Sequence, residues 1–412
     1  MPRWADACYA QSVADPFWLL DESVCFLNHG SFGSCPRPVL EEQSELRRLM
    51  EAEPVRFLDG ELEGRLDAAR AALGAFIGAD AEDLAFVPNA TFGVNTVLRG
   101  LRFSPGDEIL VTDMEYNACR NAAQFVAGSG ARVVAAKIPF PGATPQIAAD
   151  AVLAALTPRT RLAMLSHIVS PTGIILPLDT LVPELQKRGV DVLVDGAHAP
   201  GQIPLDLDAL GAAYYTGNGH KWLCAPKGAA FLHVRRDRQE GLRPLVISHG
   251  ANSRRTDRSR FRLEFDWTGT SDPTPSLCVP AAIKALESQV PGGWPEIMKR
   301  NRALALAARD ILCRALGVDA PCPPEMVGAM AAVPLPAGMA GAPAAADGLD
   351  PLHARLLKEH GIQVPIFAWP TPDRKLLRVS AQLYNRREQY EKLARALSEN
   401  QRAAAFGAAR AS

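Results

Sequence analysis

The segment YYTGNGHKWLCAPKG places His220 and Lys221 in a glycine-flanked polar turn directly after a short apolar stretch. A lysine at the end of a buried strand loses ammonium solvation, so its pKa falls and its amine becomes a usable nucleophile. Only nine lysines occur in the chain, and most of the others fall on expected helix faces or loops, where solvation accounts for them. Read alone, the segment also fits an ordinary surface-turn lysine. VDVLVDGAHAP supplies a second group. Asp195 ends an apolar strand, where a carboxylate needs a cationic or proton-donating partner. The competing reading is an aspartate that caps the next turn.

A protonated pyridine nitrogen is a suitable partner for such a carboxylate, and pyridoxal phosphate (PLP) sites pair a Schiff-base lysine with an acidic residue. A phosphate needs its own cradle. FVPNATFGVN sets Asn89, Ala90 and Thr91 between a strand and a helix, where free N–H groups and the positive helix end suit an anion. The same turn needs an N-cap in any case, and Thr91 is expected to supply it. In DMEYNA, Tyr116 stands at a strand end and can either face a planar ring or serve as half-buried packing. The S-P-T-G loop begins at Ser170. All five features fall at the carboxyl ends of successive expected strands, the edge at which open α/β sheets bind ligands.

The elements that position these groups are short. Between about residues 80 and 235, apolar runs alternate with helical patterns: LAFVP (84–88), EILVT (108–112), ARVVAAKI (131–138), RLAMLSHI (161–168), VDVLVDGA (190–197), AAYYTG (212–217) and GAAFLHV (228–234). Continuous apolar strands are buried on both faces, which requires helices on both sides of a largely parallel sheet. Residues 36–77 read as two amphipathic helices and 276–317 as mostly helical. A Gly/Ala/Pro-rich connector (335–348) leads into a small α+β unit with a helix (351–359), strands IQVPIF (362–367) and KLLRVS (375–380), and a last helix from about 386.

At 412 residues, two domains are expected rather than one. The expected division is an N-terminal segment (1–35), a large cofactor-binding domain (36–290) and a small C-terminal domain (291–412). A formal charge of −1 gives no electrostatic footprint for nucleic acid or an anionic membrane, so neither is expected as a partner. No run approaches the roughly 20 apolar residues of a membrane span, and the first residues lack the charged-then-apolar order of a signal peptide, so a cytoplasmic protein is expected. Eight scattered cysteines without a C-x-x-C pair, and histidines without ligand spacing, argue against disulfide frameworks and metal chemistry.

The strings FLNHGSFGS, EYNA, SHIVSPTG, VDGAHAPG, GNGHKW, DWTGTSDPTP and LRVSAQLYN resemble the class V aminotransferase family, and within it the isopenicillin N epimerase-like proteins. The resemblance runs from about residue 24 to 395. It implies the fold type I architecture of PLP-dependent transferases: a mostly parallel seven-stranded sheet between helices, plus a small C-terminal α+β domain. It also implies a homodimer with active sites at the subunit interface. By the same resemblance, Lys221 would hold PLP covalently and Asp195 would pair with the ring nitrogen. His198 and Ser170 would lie near the phenolic oxygen, and Tyr116 would stack on the ring. Ala90, Thr91, Asn218 and His220 would hold the phosphate, with Thr270 reaching the phosphate of the neighbouring subunit. Arg378 would clamp the substrate α-carboxylate, with Asn28 and His29 on the substrate side.

One departure bears on the reaction. Cysteine desulfurases of the family carry a nucleophilic cysteine shortly before the carboxylate arginine, whereas here the stretch reads GIQVPIFAWPTPDRKLLR, which disfavours persulfide chemistry. The leading expectation is epimerisation at Cα of an amino acid or amino-acid-bearing small molecule. A carbon–sulfur lyase, of the kind acting on sulfur-containing histidine derivatives, is second and an aminotransferase third. A catalytically silent PLP-fold binding protein is the non-enzyme alternative, and the presence of Lys221, Asp195 and Arg378 speaks against it.

Overall fold

Seven apolar segments between residues 84 and 234 join one sheet. The computed structural model describes residues 17–128, 130–339, 350–371 and 373–411. A two-residue strand, β1 (Cys25–Phe26), precedes the sheet, which is built from β2 (Leu84–Val87), β3 (Glu108–Thr112), β4 (Arg132–Ala136), β5 (Thr160–Ser166), β6 (Asp191–Asp195), β7 (Tyr214–Asn218) and β8 (Ala230–Val234). The spatial order is β2-β8-β7-β6-β5-β3-β4. Only β8 runs antiparallel to its neighbours, so the carboxyl ends of the other six share one edge. Register sets Ser166 opposite Asp195, and Asp195 opposite Thr216.

Separate apolar clusters cover the two faces of this sheet, and β3, β7 and β8 are buried along their whole lengths. Strand β4, at one edge of the sheet, exposes Arg132 and Ala135. The helix Ala90–Gly100 lies unusually close to β7. A Cβ at Gly93 would come within 2.2 Å of Thr216 Oγ1, so glycine at this point lets the helix amino terminus sit beside the end of β7.

The remaining strands form a second layer: β9 (Met330–Pro334), β10 (Ile362–Gln363), β11 (Ile366–Ala368) and β12 (Lys375–Ser380). Strands β11, β12 and β9, in that order, make an antiparallel sheet against the packed helices Gly293–Leu316 and Arg387–Ala411. IQVPIF divides into β10 and β11 at Val364–Pro365, since proline has no N–H for a ladder. The N-terminal segment joins this layer. Strand β1 pairs in parallel with β10, and Gly30 N–H donates to Ser380 Oγ at 3.0 Å. Between the helices Arg37–Ala52 and Leu62–Ile77 lies one turn of π-helix, Arg56–Glu61. Residues 340–349, most of the expected connector, lie outside the described residues. Among the described residues, no helix is long and apolar enough to cross a membrane.

A buried ion-pair network fixes the segment before Trp267. Arg70, 1% exposed, donates to both carboxylate oxygens of Asp266 at 2.7 and 3.0 Å, and Arg262 pairs with Asp67, Glu82 and Asp266.

Candidate active site

The shared carboxyl edge of the sheet opens into a cavity of about 370 Å³. The turns after β2, β3, β5, β6 and β7 bring Ala90 and Thr91, Tyr116, Ser170, Asp195 and His198, and Asn218, His220 and Lys221 to its wall. Nine expected residues separated by up to 131 positions thus meet in one place, because five strands of one direction end at one edge.

Lys221 follows β7 by three residues, and its Nζ lies 3.1 Å from His198 Nε2. Burial, with Arg378 nearby, lowers its pKa to about 7. His198 is pushed well below its ordinary value, chiefly by burial, and is neutral. With the Lys221 amine donating to Nε2, the ring proton belongs on Nδ1, a buried atom with no partner. The backbone on the other side is equally close. A Cβ at Gly33 (φ +69°) would lie 2.1 Å from the His220 carbonyl, so the FGS turn can press on the lysine loop only as glycine.

Asp195 is 4% exposed. Its Oδ1 accepts the Ala197 N–H at 3.0 Å, and its Oδ2 accepts the Cys119 S–H at 3.1 Å. A second buried carboxyl, Glu115, accepts from Ser166 Oγ, from Thr112 Oγ1 at 2.8 Å and from Ser166 N–H at 3.2 Å. Burial pushes its pKa up to about 7. Glu115, Ser166 and Cys119 carry no sequence signal that separates them from packing residues. Glu115 stands in the EYNA string, and only the fold sets it beside Asp195.

On the phosphate side the cap differs from expectation. Asn89, not Thr91, caps the helix, its Oδ1 accepting Phe92 N–H at 2.8 Å. Asn218 Oδ1 accepts Ala90 N–H at 2.9 Å. Among the described residues, Thr91 N–H and hydroxyl then make no hydrogen bond, and the Asn218 amide nitrogen is also left open. His220 Nδ1 donates to the Ala229 carbonyl at 3.2 Å, and burial lowers its pKa to about 4.

The expected substrate-side residues stand apart from the cavity. Arg378, Asn28 and His29 do not line the cavity; they lie behind its wall. Arg378 is 1% exposed and donates through Nη1 to Ser170 O at 2.5 Å and through Nη2 to Ser31 Oγ at 3.2 Å. It forms no ion pair among the described residues, its Nε has no partner, and burial lowers its pKa to about 10. His29 uses both ring nitrogens on the scaffold, toward Tyr384 Oη (2.8 Å) and the Lys221 carbonyl (3.0 Å). The reason is the β1–β10 pairing, which turns this segment toward the protein interior. The wall itself is Ser31, Phe32 and Ser170. Thr270 is exposed and away from this cavity.

These residues fit PLP. An open helix amino terminus suits its phosphate, a buried carboxylate its ring nitrogen, and a low-pKa amine its aldehyde. The partnerless His198 Nδ1 suits an oxygen acceptor.

Comparison with known proteins places the chain in a family. The family model for aminotransferase class-V matches residues 31–317. The chain is 39% identical to an isopenicillin N epimerase of Amycolatopsis lactamdurans, over 92% of this chain and 96% of that protein. It is 32% identical to a putative L-cysteine desulfhydrase 1 of Oryza sativa subsp. japonica, over 92% and 83%. Among solved structures, the cystine C–S lyase C-DES in complex with cysteine persulfide superposes with a TM-score of 0.73 at 23% identity, over 91% of this chain and 97% of that one. That likeness speaks for the fold, which is the fold type I α/β architecture.

Proposed function

The chain belongs to the class-V aminotransferase family, uses pyridoxal phosphate and, we propose, epimerises the Cα centre of an amino acid or amino-acid-bearing substrate. One observation carries this reading. A low-pKa amine, Lys221, just beyond the end of one strand, and a buried carboxylate, Asp195, at the end of its parallel neighbour, face one cavity.

When bound, PLP supplies an electron-accepting ring that stabilises negative charge developing at Cα. The chain does the rest. Lys221 provides the attachment point, and its amine or another base removes the Cα proton, which must be returned to the opposite face for the centre to invert. Asp195 holds a proton on the ring nitrogen. His198 stays neutral and accepts from the amine, while burial and the nearby Arg378 bring the lysine pKa down to about 7. Arg378, a buried guanidinium without a carboxylate partner among the described residues, binds the substrate α-carboxylate once Ser31 and Ser170 give way. The active unit is a homodimer in which the exposed Thr270 reaches the partner's phosphate site.

A carbon–sulfur lyase is the second reading, supported by the desulfhydrase relatives. It needs the same proton removal, followed by loss of a β-thiol. Among the described residues no cysteine lines the cavity, so sulfur would leave with the product rather than pass to the enzyme. Incubation of the PLP-loaded protein with isopenicillin N and with L-cysteine in deuterated water separates the readings. Deuterium gain with inversion and no ammonia supports the epimerase. Release of pyruvate, ammonia and sulfide replaces it with the lyase, and conversion of the cofactor to pyridoxamine phosphate points to a transaminase.

A further inference from the structure

We propose that Cys119 is a positioning residue for Asp195, holding that carboxylate toward the cofactor through an S–H hydrogen bond. The inference rests on the reading that Asp195 faces the PLP ring. Its physical basis is independent of that reading. Asp195 Oδ2 accepts the thiol proton at 3.1 Å, a close approach for a sulfur donor, while Oδ1 is held by Ala197 N–H. The two donors clamp the carboxylate plane from two directions.

Cys119 is completely buried in the first turn of the helix Asn117–Ala127. Its N–H donates to the Tyr116 carbonyl at 2.9 Å, so the turn that carries Tyr116 to the cavity also carries the thiol to Asp195. Burial, reinforced by Asp195, raises the thiol well above its ordinary pKa. It therefore stays protonated and acts as a donor, not as a nucleophile. Glu115, the other carboxyl nearby, is occupied by Thr112 and Ser166 and does not compete for the thiol. A thiol is a weak donor. It orients the carboxylate while leaving most of the negative charge for a proton-bearing partner.

The test uses the cofactor-free protein first. The infrared difference between wild type and Cys119→Ala isolates the Cys119 S–H stretch. It is expected below the frequency of the other thiols and should move upward in Asp195→Asn. A band at the unbonded frequency, or one indifferent to Asp195→Asn, overturns the proposal. In the PLP-loaded protein, Cys119→Ala should weaken cofactor retention by about three- to tenfold and shift the ring-nitrogen 15N resonance, with Cys119→Ser restoring retention. A bonded S–H band with unchanged retention and resonance also overturns it, because the thiol would then only pack. Failure of wild type to hold PLP at all would defeat the functional reading instead and leave the infrared result standing.

Discussion

The amine of Lys221 lies 3.1 Å from His198 Nε2, and among the described residues it forms no ion pair with any carboxylate. Asp195 shares the cavity but spends its oxygens on Ala197 and Cys119. A cationic lysine in this position is buried, with the Arg378 guanidinium nearby, so it releases its proton readily.

Capture of PLP by the cofactor-free protein should therefore accelerate as pH rises through about 7, where the Lys221 amine becomes neutral. A solvated lysine would show the same rise near about 10.4. Stopped-flow absorbance measures the rate, and borohydride reduction with peptide mapping places the label. Lys221→Ala should abolish the covalent signal; a label on another lysine contradicts the assignment.

Glu115 makes stability depend on pH. Its folded pKa, about 7, lies above the unfolded value of 4.5, so the folded state holds the proton more tightly. Its contribution is fully present below about 4.5 and is lost as pH rises through about 7, on the order of 3 kcal/mol in all. Urea midpoints of the cofactor-free protein should decline over that window, and Glu115→Gln should flatten the decline. An equally steep profile in the variant would assign it to other groups.

Substituting Arg378→Ala should weaken binding of carboxylate-bearing substrates by about 2–5 kcal/mol and leave PLP loading intact. Its contacts run to Ser170, Ser31 and Asn28, none of which belongs to the phosphate cradle of Ala90, Thr91, Asn218 and His220. Amines without a carboxylate should lose little affinity. A variant that loses both classes equally would show that the guanidinium holds the wall in shape and does not bind substrate.

Thr270 tests the dimer. It is exposed in a single chain, on the segment anchored by Asp266. Thr270→Ala should speed PLP dissociation several-fold without changing the mass of the assembled protein, as read by native mass spectrometry. A PLP-loaded, active monomer would remove the partner role.

The sequence by itself determined which groups meet at the sheet edge. The apolar runs ending at Val87, Thr112, Ser166, Asp195 and Asn218 each form a buried parallel strand, and strands of one direction must deliver their following turns to one side. Lys221, Asp195, Tyr116 and Thr91 were legible for that reason: each lies within a few residues of a strand end, and local periodicity locates strand ends.

Tertiary structure alone decided the rest. Arg378 ends up behind Ser170, 208 positions away, and Asn28 and His29 turn inward because β1 pairs with β10, more than 330 residues on. Asn89 takes the cap that the sequence assigns to Thr91, because Asn218 of a different strand occupies the Ala90 N–H. The Cys119 thiol finds Asp195 across 76 positions. No local pattern encodes these contacts. They arise when helices and loops with little pattern of their own are brought onto a sheet, and the pairings that survive are those that leave the fewest buried polar groups without a partner.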